Sequence, residues 1–486
     1  MDIAWLIALT MLIPAAAALG NGVLRAHANL RDTLTGLAAL ATFATVLEIL
    51  TRVSNETSAI YTALSTMPGL DIAFRVEPLG LMFAIIASGL WIVTHIYGVG
   101  YMRGNKESGH ARFFAAFSMA IASTMGLAFA ANLFTLFLFY ELLTLSTFSL
   151  VAHKGTPEAM RGAKTYLGIL MGTSIGLFLV AVIWTWVAAG TLDFTQGGIL
   201  RGQVPTSLVP VLLALFAFGI GKAALMPFHR WLPAAMVAPT PVSALLHAVA
   251  VVKAGVFTML KVGIYIFGID FLAGTGASTW LMWLAAYTII AASVIALYQD
   301  NLKRRLAYST ISQLAYITLG MALATSMGVL GGALHIATHA VGKITLFMAA
   351  GSIYVATHRT EISQFDGLGR ALPVTFTAFM VGALSIIGLP PLAGSWSKWL
   401  LVLGAADTGQ WIIIGVLIVS SLLNIAYLMS IVARAFFLPP AKDTPQAWSE
   451  ASPLVWGPPA VTAILCVVLF FYAGAVAEFL APLVTP

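Results

Sequence analysis

Five ionisable side chains lie inside long apolar runs. Glu141 sits in Asn132 to Ala152 (NLFTLFLFYELLTLSTFSLVA), and Lys222, Lys253, Lys343 and Lys398 sit in four other runs. A charge at bilayer depth costs about 2.5 to 3.5 kcal/mol or more, so such groups mark routes for ions or protons. A carboxylate beside a lysine keeps both charged, and its withdrawal in a dry site favours release of the lysine's proton. Glu141 and Lys222, each near the middle of its run, are therefore read as a switchable pair; the alternative is a static buried salt bridge that fixes packing. Lys253 and His247 share the eighth run with no acid near them in sequence, and both are residue types that take and release protons near neutrality once buried. His335, His339 and Lys343 fall at i, i+4 and i+8, which places them on one helical face as a polar stripe roughly 12 Å long. Three aligned ionisable groups read as a proton wire rather than as packed core residues. Lys398 ends the series. Lys261, close to the outer end of its run, is expected to snorkel to the surface and is given no role.

These groups need membrane helices to hold them. Of 486 residues, 60% are hydrophobic and 9% charged, and the mean hydropathy is +0.95, outside the range of a soluble domain. About 20 apolar residues cross a bilayer as a helix. Fourteen such runs can be placed, near 3–24, 33–50, 78–98, 112–130, 132–152, 164–189, 207–229, 242–265, 280–298, 305–323, 328–356, 373–405, 411–436 and 454–480. The expected fold is an all-α polytopic membrane protein. The net charge of +6 reflects topology, not nucleic acid. One set of alternate loops holds Arg25, Arg31, Arg103, Lys106, Arg112, Lys154, Arg161, Lys164, Arg230, Lys303, Arg304, Arg305, Arg359, Arg370, Arg434 and Lys442, sixteen in all, against Arg52, Arg75 and Arg201 opposite. The positive-inside rule then puts both termini outside a bacterial cytoplasmic (inner) membrane. Asp2 occupies what would be the basic region of a signal peptide, so the first run is expected to stay as a span. The only cysteine is Cys466, which leaves no ligand set for iron–sulfur clusters or c-type haem. No cofactor or metal is expected in this chain.

No low-complexity tract or Gly/Ser linker divides the sequence, so residues 1–486 are read as a single integral domain. Two runs carry breaks. The seventh has Lys222 followed by Pro227 and Pro233, and the twelfth has Pro390, Pro391 and Gly394 ahead of Lys398. Proline removes a helical donor and clashes with the preceding turn, and broken backbone at membrane depth survives only inside protein or beside a wet cavity. Interrupted helices in matching places of two halves point to an inverted-repeat transporter. Spans 4–8 (112–265) and 9–13 (280–436) are five helices each, so the repeats run in opposite senses, with spans 1–3 (1–111) before them and span 14 (454–480) after. In the tenth run, Lys303, Arg304 and Arg305 are assigned to topology and lipid headgroups, while the roles of Ser309, Thr310, Ser312 and Gln313 stay open between helix packing and water binding.

GKAALMPFHRWLPAAMVAPTPVSALLHAVAVVKAGVF (Gly221 to Phe257), NLKRRLAYSTISQLAY, FYELLTLSTF and HIATHAVGKITLFMAAGSI resemble the antiporter-like subunits shared by respiratory complex I, Mrp-type multisubunit cation/proton antiporters and membrane-bound hydrogenases. The resemblance runs from about Glu77 to Arg434. It implies fourteen helices with two inverted five-helix repeats, a glutamate–lysine pair at Glu141 and Lys222, a central Lys253, a polar axis through His335, His339 and Lys343, and an exit at Lys398. FYELLTLSTFSLVAHKGTPEAMRGAKTYL is most similar to the Mrp D type of antiporter-like chain. The implied function is a proton-translocating subunit of a multisubunit cation (Na+)/proton antiporter. Its partners would be other small hydrophobic subunits, protons, the lipid bilayer and, as an open question, Na+. The alternative is a proton-pumping subunit of a complex I-type NADH:quinone oxidoreductase or a membrane-bound hydrogenase, with any redox chemistry on a partner. A third reading makes the chain a scaffold with vestigial charges.

Overall fold

The structure, a computed structural model, describes residues 2–484 apart from 54–58, 68, 246, 247, 249, 442, 443 and 446. The chain opens with α1 (Ile3–Val23) and α2 (Ala28–Val53). A short hairpin follows, β1 (Tyr61–Met67) and β2 (Leu70–Phe74), and then α3 (Pro78–Gly104), α4 (His110–Ala128) and α5 (Leu133–Val151). α6 (Pro157–Thr173) runs through a π-helical turn at Ser174–Phe178 into α7 (Leu179–Ala189). Beyond α8 (Val209–Gly219) the helices are short: α9 (Trp231–Ala234), α10 (Thr240–Ala244) and α11 (Val251–Lys261), which continues as a π-helix to Phe267, then α12 (Ile269–Thr275). Long helices return with α13 (Thr279–Leu297), α14 (Leu302–Ala322) and α15 (Ser326–Thr357). A split pair follows, α16 (Pro373–Ile387) and α17 (Gly394–Asp407), and α18 (Trp411–Phe437) and α19 (Pro453–Leu480) close the fold.

Local sequence sets the starts. The Asn132 side chain accepts from Thr135 N at 2.8 Å ahead of α5, Asn301 does so for Arg304 N ahead of α14, and Thr325 for Gly328 N ahead of α15. Each satisfies one of the orphan donors of a helix N-terminus. Among the described residues ten helices are long and apolar enough to cross a membrane. The number is eleven if Val251–Phe267 and Ile269–Thr275, bent by 77°, are one span. The chain is a multi-pass membrane protein. Burial separates core from rim: 72% of the apolar stretch of α4 and of α15 is inside the protein, against 33% for α2 and α18 and 22% for α19. The 32-residue α15 is thus a central post, packed on α14, α16, α17 and α19.

The hairpin departs from the all-α expectation. Tyr61 pairs with Phe74 and Ser65 with Asp71 in antiparallel register, around Gly69 at φ +78, a left-handed conformation that glycine adopts without a Cβ penalty. In sequence the segment reads only as a polar interruption, because its exposed face hides the alternation. It is anchored by Ala131 N donating to Ala73 O at 3.0 Å and Arg75 N to Phe129 O at 2.7 Å.

Candidate proton path

Both expected breaks are present, and each holds its lysine. α8 stops at Gly219, Lys222 sits in a single 3-10 turn at Gly221–Ala223, and Ala224 is left-handed at φ +53. Pro227 follows in a cis peptide bond. Trp231 Nε1 donates to Gly221 O at 2.9 Å and satisfies the carbonyl that the break exposes. In the second break Gly388 is left-handed at φ +90 and Pro390–Pro391 is cis; α17 then starts at Gly394, four residues before Lys398.

Lys222 is fully buried. Its amine donates to Thr144 Oγ1 at 2.6 Å and Tyr140 O at 2.9 Å, and lies 3.1 Å from the centre of the Tyr140 ring. It therefore meets α5 at the turn that carries Glu141. No ion pair joins the two: both carboxylate oxygens of Glu141 are buried without a hydrogen-bond partner among the described residues. Glu141 is half-buried, beside exposed Leu138, Leu142 and Leu145.

Beyond the break the contacts are continuous. The Lys253 amine meets His339 Nδ1. His339 stacks on His335 at 5.6 Å, and His335 stacks on Tyr316 at 5.5 Å. His335 Nδ1 is 2.9 Å from Ser397 Oγ. Lys398 lies 5.0 Å over the Tyr316 ring and donates to Ile387 O at 2.9 Å and to Ser421 Oγ at 3.2 Å. The Ile387 carbonyl is one that the second break frees, as expected of a helix end. A second chain starts at Lys343, which donates to Ser309 Oγ at 2.6 Å. Ser309 accepts from Tyr427 OH at 2.9 Å, and Tyr427 OH is 2.5 Å from the Asn424 amide. With its oxygen turned towards the donors, Asn424 accepts from Lys398 Nζ at 3.2 Å and Gln313 Nε2 at 3.1 Å. His335, His339, Lys343 and Lys398 are thus brought together with Lys253. His247 lies outside the described residues.

Two sequence readings need correction. Lys261 does not snorkel: it is fully buried, paired with Glu77 at 2.5 Å, donates to Ala130 O at 2.8 Å and lies 4.0 Å over Phe194. The signal was the apolar stretch Val262–Phe267 beyond it, which prolongs the helix and leaves the amine no short way out. Besides Glu141, the acids Glu77 and Asp32 are buried, at 6% and 8% exposed. Arg305 is not a headgroup ligand: it is 8% exposed and donates to Gln299 O at 2.8 Å and Tyr427 O at 3.0 Å, fastening α18 to α14. Ser309, Tyr427 and Asn424 carry the second chain of contacts; only Ser309 stands out in the sequence, because hydroxyls and amides in apolar runs are common packing residues.

Residues 130–424 match the model of the family described as NADH:quinone oxidoreductase/Mrp antiporter, TM, and residues 66–114 match that of the NADH-ubiquinone oxidoreductase (complex I) chain 5 N-terminus. The chain is 33% identical over 390 residues to NADH-quinone oxidoreductase subunit N of Desulforudis audaxviator, covering 79% of this chain and 76% of that one. It is 31% identical over 411 residues to the A/B component of a probable K(+)/H(+) antiporter of Rhizobium meliloti, covering 82% of this chain and 40% of that one. The chain spans about half the length of the chain 5 relatives it matches. In three dimensions it resembles a chain of the Mrp complex from Dietzia sp. DQ12-45-1b, with a TM-score of 0.86, 21% identity, and coverage of 100% of this chain and 97% of that one; that likeness speaks for the fold. The chain therefore belongs to the NADH:quinone oxidoreductase/Mrp antiporter family of antiporter-like, proton-translocating membrane subunits.

Proposed function

We propose that this chain is the proton-translocating subunit of a multisubunit cation (Na+)/proton antiporter of the Mrp type, closest to the Mrp D component. The observation that carries the reading is the run of side-chain contacts from Lys253 through His339 to His335, and from His335 to Ser397 on one side and through the Tyr316 ring to Lys398 on the other. Protons rest on Lys222 and Lys253 and are pushed along as Glu141 approaches or leaves its lysine, with His247 and Lys343 as further stations. The reading groups the helices into fourteen spans in one integral domain, with inverted five-helix repeats at 112–265 and 280–436. It puts both termini outside a bacterial inner membrane and the sixteen basic loop residues inside. Other small hydrophobic subunits complete the complex. Replacing Lys222 or Lys253 by alanine should abolish proton transport in vesicles carrying the assembled complex; undiminished transport sinks the mechanism.

A second reading, favoured by the 33% identity to an NADH-quinone oxidoreductase subunit N, places the chain in a complex I-type NADH:quinone oxidoreductase or a membrane-bound hydrogenase. Purification of the intact complex separates the two. Small hydrophobic partners alone support the antiporter, whereas partners with cysteine clusters or a nickel site support the redox enzyme. Tracer sodium uptake by the same vesicles, driven by a pH gradient, tests whether Na+ is the counter-ion.

A further inference from the structure

We propose that Asn424 is a positioning residue whose side-chain amide acts as a rotor, so that Lys343 and Lys398 hold one proton between them; its part in transport rests on the proton-path reading above. Five buried side chains form the line concerned. Lys343 Nζ is 2.6 Å from Ser309 Oγ, and Ser309 Oγ is 2.9 Å from Tyr427 OH. Tyr427 OH is 2.5 Å from the near end of the Asn424 amide. The far end of that amide is 3.2 Å from Lys398 Nζ and 3.1 Å from Gln313 Nε2.

The charge on Lys398 dictates which way the amide faces. A charged lysine amine has three protons to give and no lone pair. Ile387 O and Ser421 Oγ take two of them, at 2.9 and 3.2 Å, so the third falls to Asn424 and calls for its oxygen. The amide nitrogen then donates to Tyr427 OH and to Ser420 O at 3.2 Å. A neutral amine keeps two protons for the same two acceptors and turns a lone pair on Asn424. It calls for the amide nitrogen, and the oxygen accepts from Tyr427 OH instead. Gln313 suits the same exchange. Its Nε2 serves the Asn424 oxygen in the first state, while its Oε1, buried and without a partner among the described residues, serves the Asn424 nitrogen once its own amide turns.

The turn is felt at Lys343, because Tyr427 and Ser309 have one hydroxyl proton each. With Lys398 charged, Tyr427 accepts from Asn424 and gives its proton to Ser309, whose own proton is left for the lone pair of a neutral Lys343. With Lys343 charged, every bond reverses. Lys343 gives to Ser309, Ser309 to Tyr427 and Tyr427 to the Asn424 oxygen, and the amide nitrogen meets a neutral Lys398. Charging both lysines strands the Ser309 hydroxyl, which has no other acceptor among the described residues. Charging neither leaves without a proton either the Lys343 lone pair or the 2.9 Å gap between Ser309 and Tyr427. A buried group stranded in this way disfavours either state by a factor on the order of 10 to 100. The other ionisable groups facing the line are Tyr316 and Arg305 on α14, His335 on α15 and Lys253 on α11. None is a carboxylate that could balance a second positive charge. Asn424 itself neither gains nor loses a proton.

The test is infrared difference spectroscopy on the assembled complex in membranes, between the acid and alkaline limbs of its flux–pH profile. The C–O stretch of a tyrosine reports whether its hydroxyl gives or takes a hydrogen bond, and isotope-labelled tyrosine, with Tyr427→Phe as the blank, identifies the Tyr427 band. That band should shift with pH in the native complex, and the shift should vanish in Asn424→Leu and in Lys398→Gln. Asn424→Asp keeps the native shape but accepts on both sides. It should fix the band at the donating position at every pH and cut proton flux at least tenfold, and it decides the matter where Asn424→Leu does not assemble. A native band that does not move with pH, or one that moves alike in the native and Asn424 variant complexes, overturns the rotor. Loss of flux in Asn424→Leu with the Tyr427 band still titrating makes Asn424 a packing residue and overturns it as well. Flux that survives Lys253→Ala overturns the path reading instead, and the rotor then stands or falls on the infrared result.

Discussion

The Glu77 cluster makes an asymmetric prediction about stability. Glu77 Oε1 is 2.5 Å from Lys261 Nζ, and Oε2 is 3.1 Å from an Arg75 nitrogen. At an effective dielectric near 20 the shorter pair attracts by about 6 to 7 kcal/mol, most of which offsets desolvation. Removing either partner should then cost different amounts. In Glu77→Gln, Lys261 stays fully buried with a carbonyl and a ring face but no anion, and stranding a buried charge costs about 3 to 5 kcal/mol. In Lys261→Met, Glu77 keeps Arg75, the side-chain stem is replaced in kind, and the main loss is the donor to Ala130 O, about 1 to 2 kcal/mol. The double variant strands no fully buried charge and should match Lys261→Met alone, about 3 to 5 kcal/mol better than the sum of the singles. Thermal unfolding of the solubilised complex, followed by tryptophan fluorescence, gives the four Tm values. A Lys261→Met as damaging as Glu77→Gln, or strictly additive shifts, would refute the account of Glu77 as the anion that makes Lys261 tolerable.

Further predictions concern the breaks and the cap that positions α5. Thr144→Val keeps shape but removes the hydroxyl 2.6 Å from Lys222 Nζ; it should cost about 1 to 3 kcal/mol, read as a lower Tm, and cut proton flux several-fold in a pH-dye vesicle assay with assembly unchanged. Asn132→Ala removes both the cap on Thr135 N and the bond to Asp71 O. It should lower stability by about 1 to 2 kcal/mol, with a Tm equal to that of the native complex counting against the cap. Gly255→Val places a side chain against Lys222, whose carbonyl oxygen lies 2.7 Å from where a β-carbon would sit. Overpacking of about 1 to 3 kcal/mol should push α11 off the break and abolish flux before it abolishes assembly, which quantitative co-purification beside the flux assay would check.

What could be read from the sequence depended on whether a physical signal was local. The breaks at Pro227 and Pro390–Pro391 were legible because proline acts on its own turn. The stripe His335, His339, Lys343 was legible because helical spacing fixes a shared face. The Glu77–Lys261 pair was not, since its members are 184 positions apart, just ahead of α3 and at the end of α11, and each by itself reads as an ordinary end-of-helix charge. The same holds for Lys343 and Ser309, joined only because α15 packs on α14. The hairpin escaped because β2 alone presents a buried edge, Ala73 and Phe74, while β1 is exposed along nearly all its length. The relative placement of Glu141 and Lys222 fell between these cases. Sequence put both at the same depth, but which residues of α5 the Lys222 amine meets, Tyr140 and Thr144, is set by where the broken span enters.

Under the proposed function, the charge inventory of the axis has a mechanical consequence. Two chains of contacts converge on Lys398, one from Lys253 through two histidines and one from Lys343 through Ser309, Tyr427 and Asn424. Lysines and histidines supply the charge on both, and no carboxylate lies among them. Two such bases about 8 Å apart, at an effective dielectric near 20, repel when both are protonated by about 2 kcal/mol, a factor of about 30 in joint occupancy. A proton arriving at Lys253 or Lys343 therefore weakens the hold on the one at Lys398, and transfer along hydrogen-bonded hydroxyls relieves the strain. Glu141 is the exception on this axis, an acid with both oxygens buried and unpartnered among the described residues. It faces the partly exposed side of α5, at the opposite end from Lys398. A positive charge brought near it from outside the chain would draw its negative charge away from Lys222, and the repulsion that drives the series would begin there.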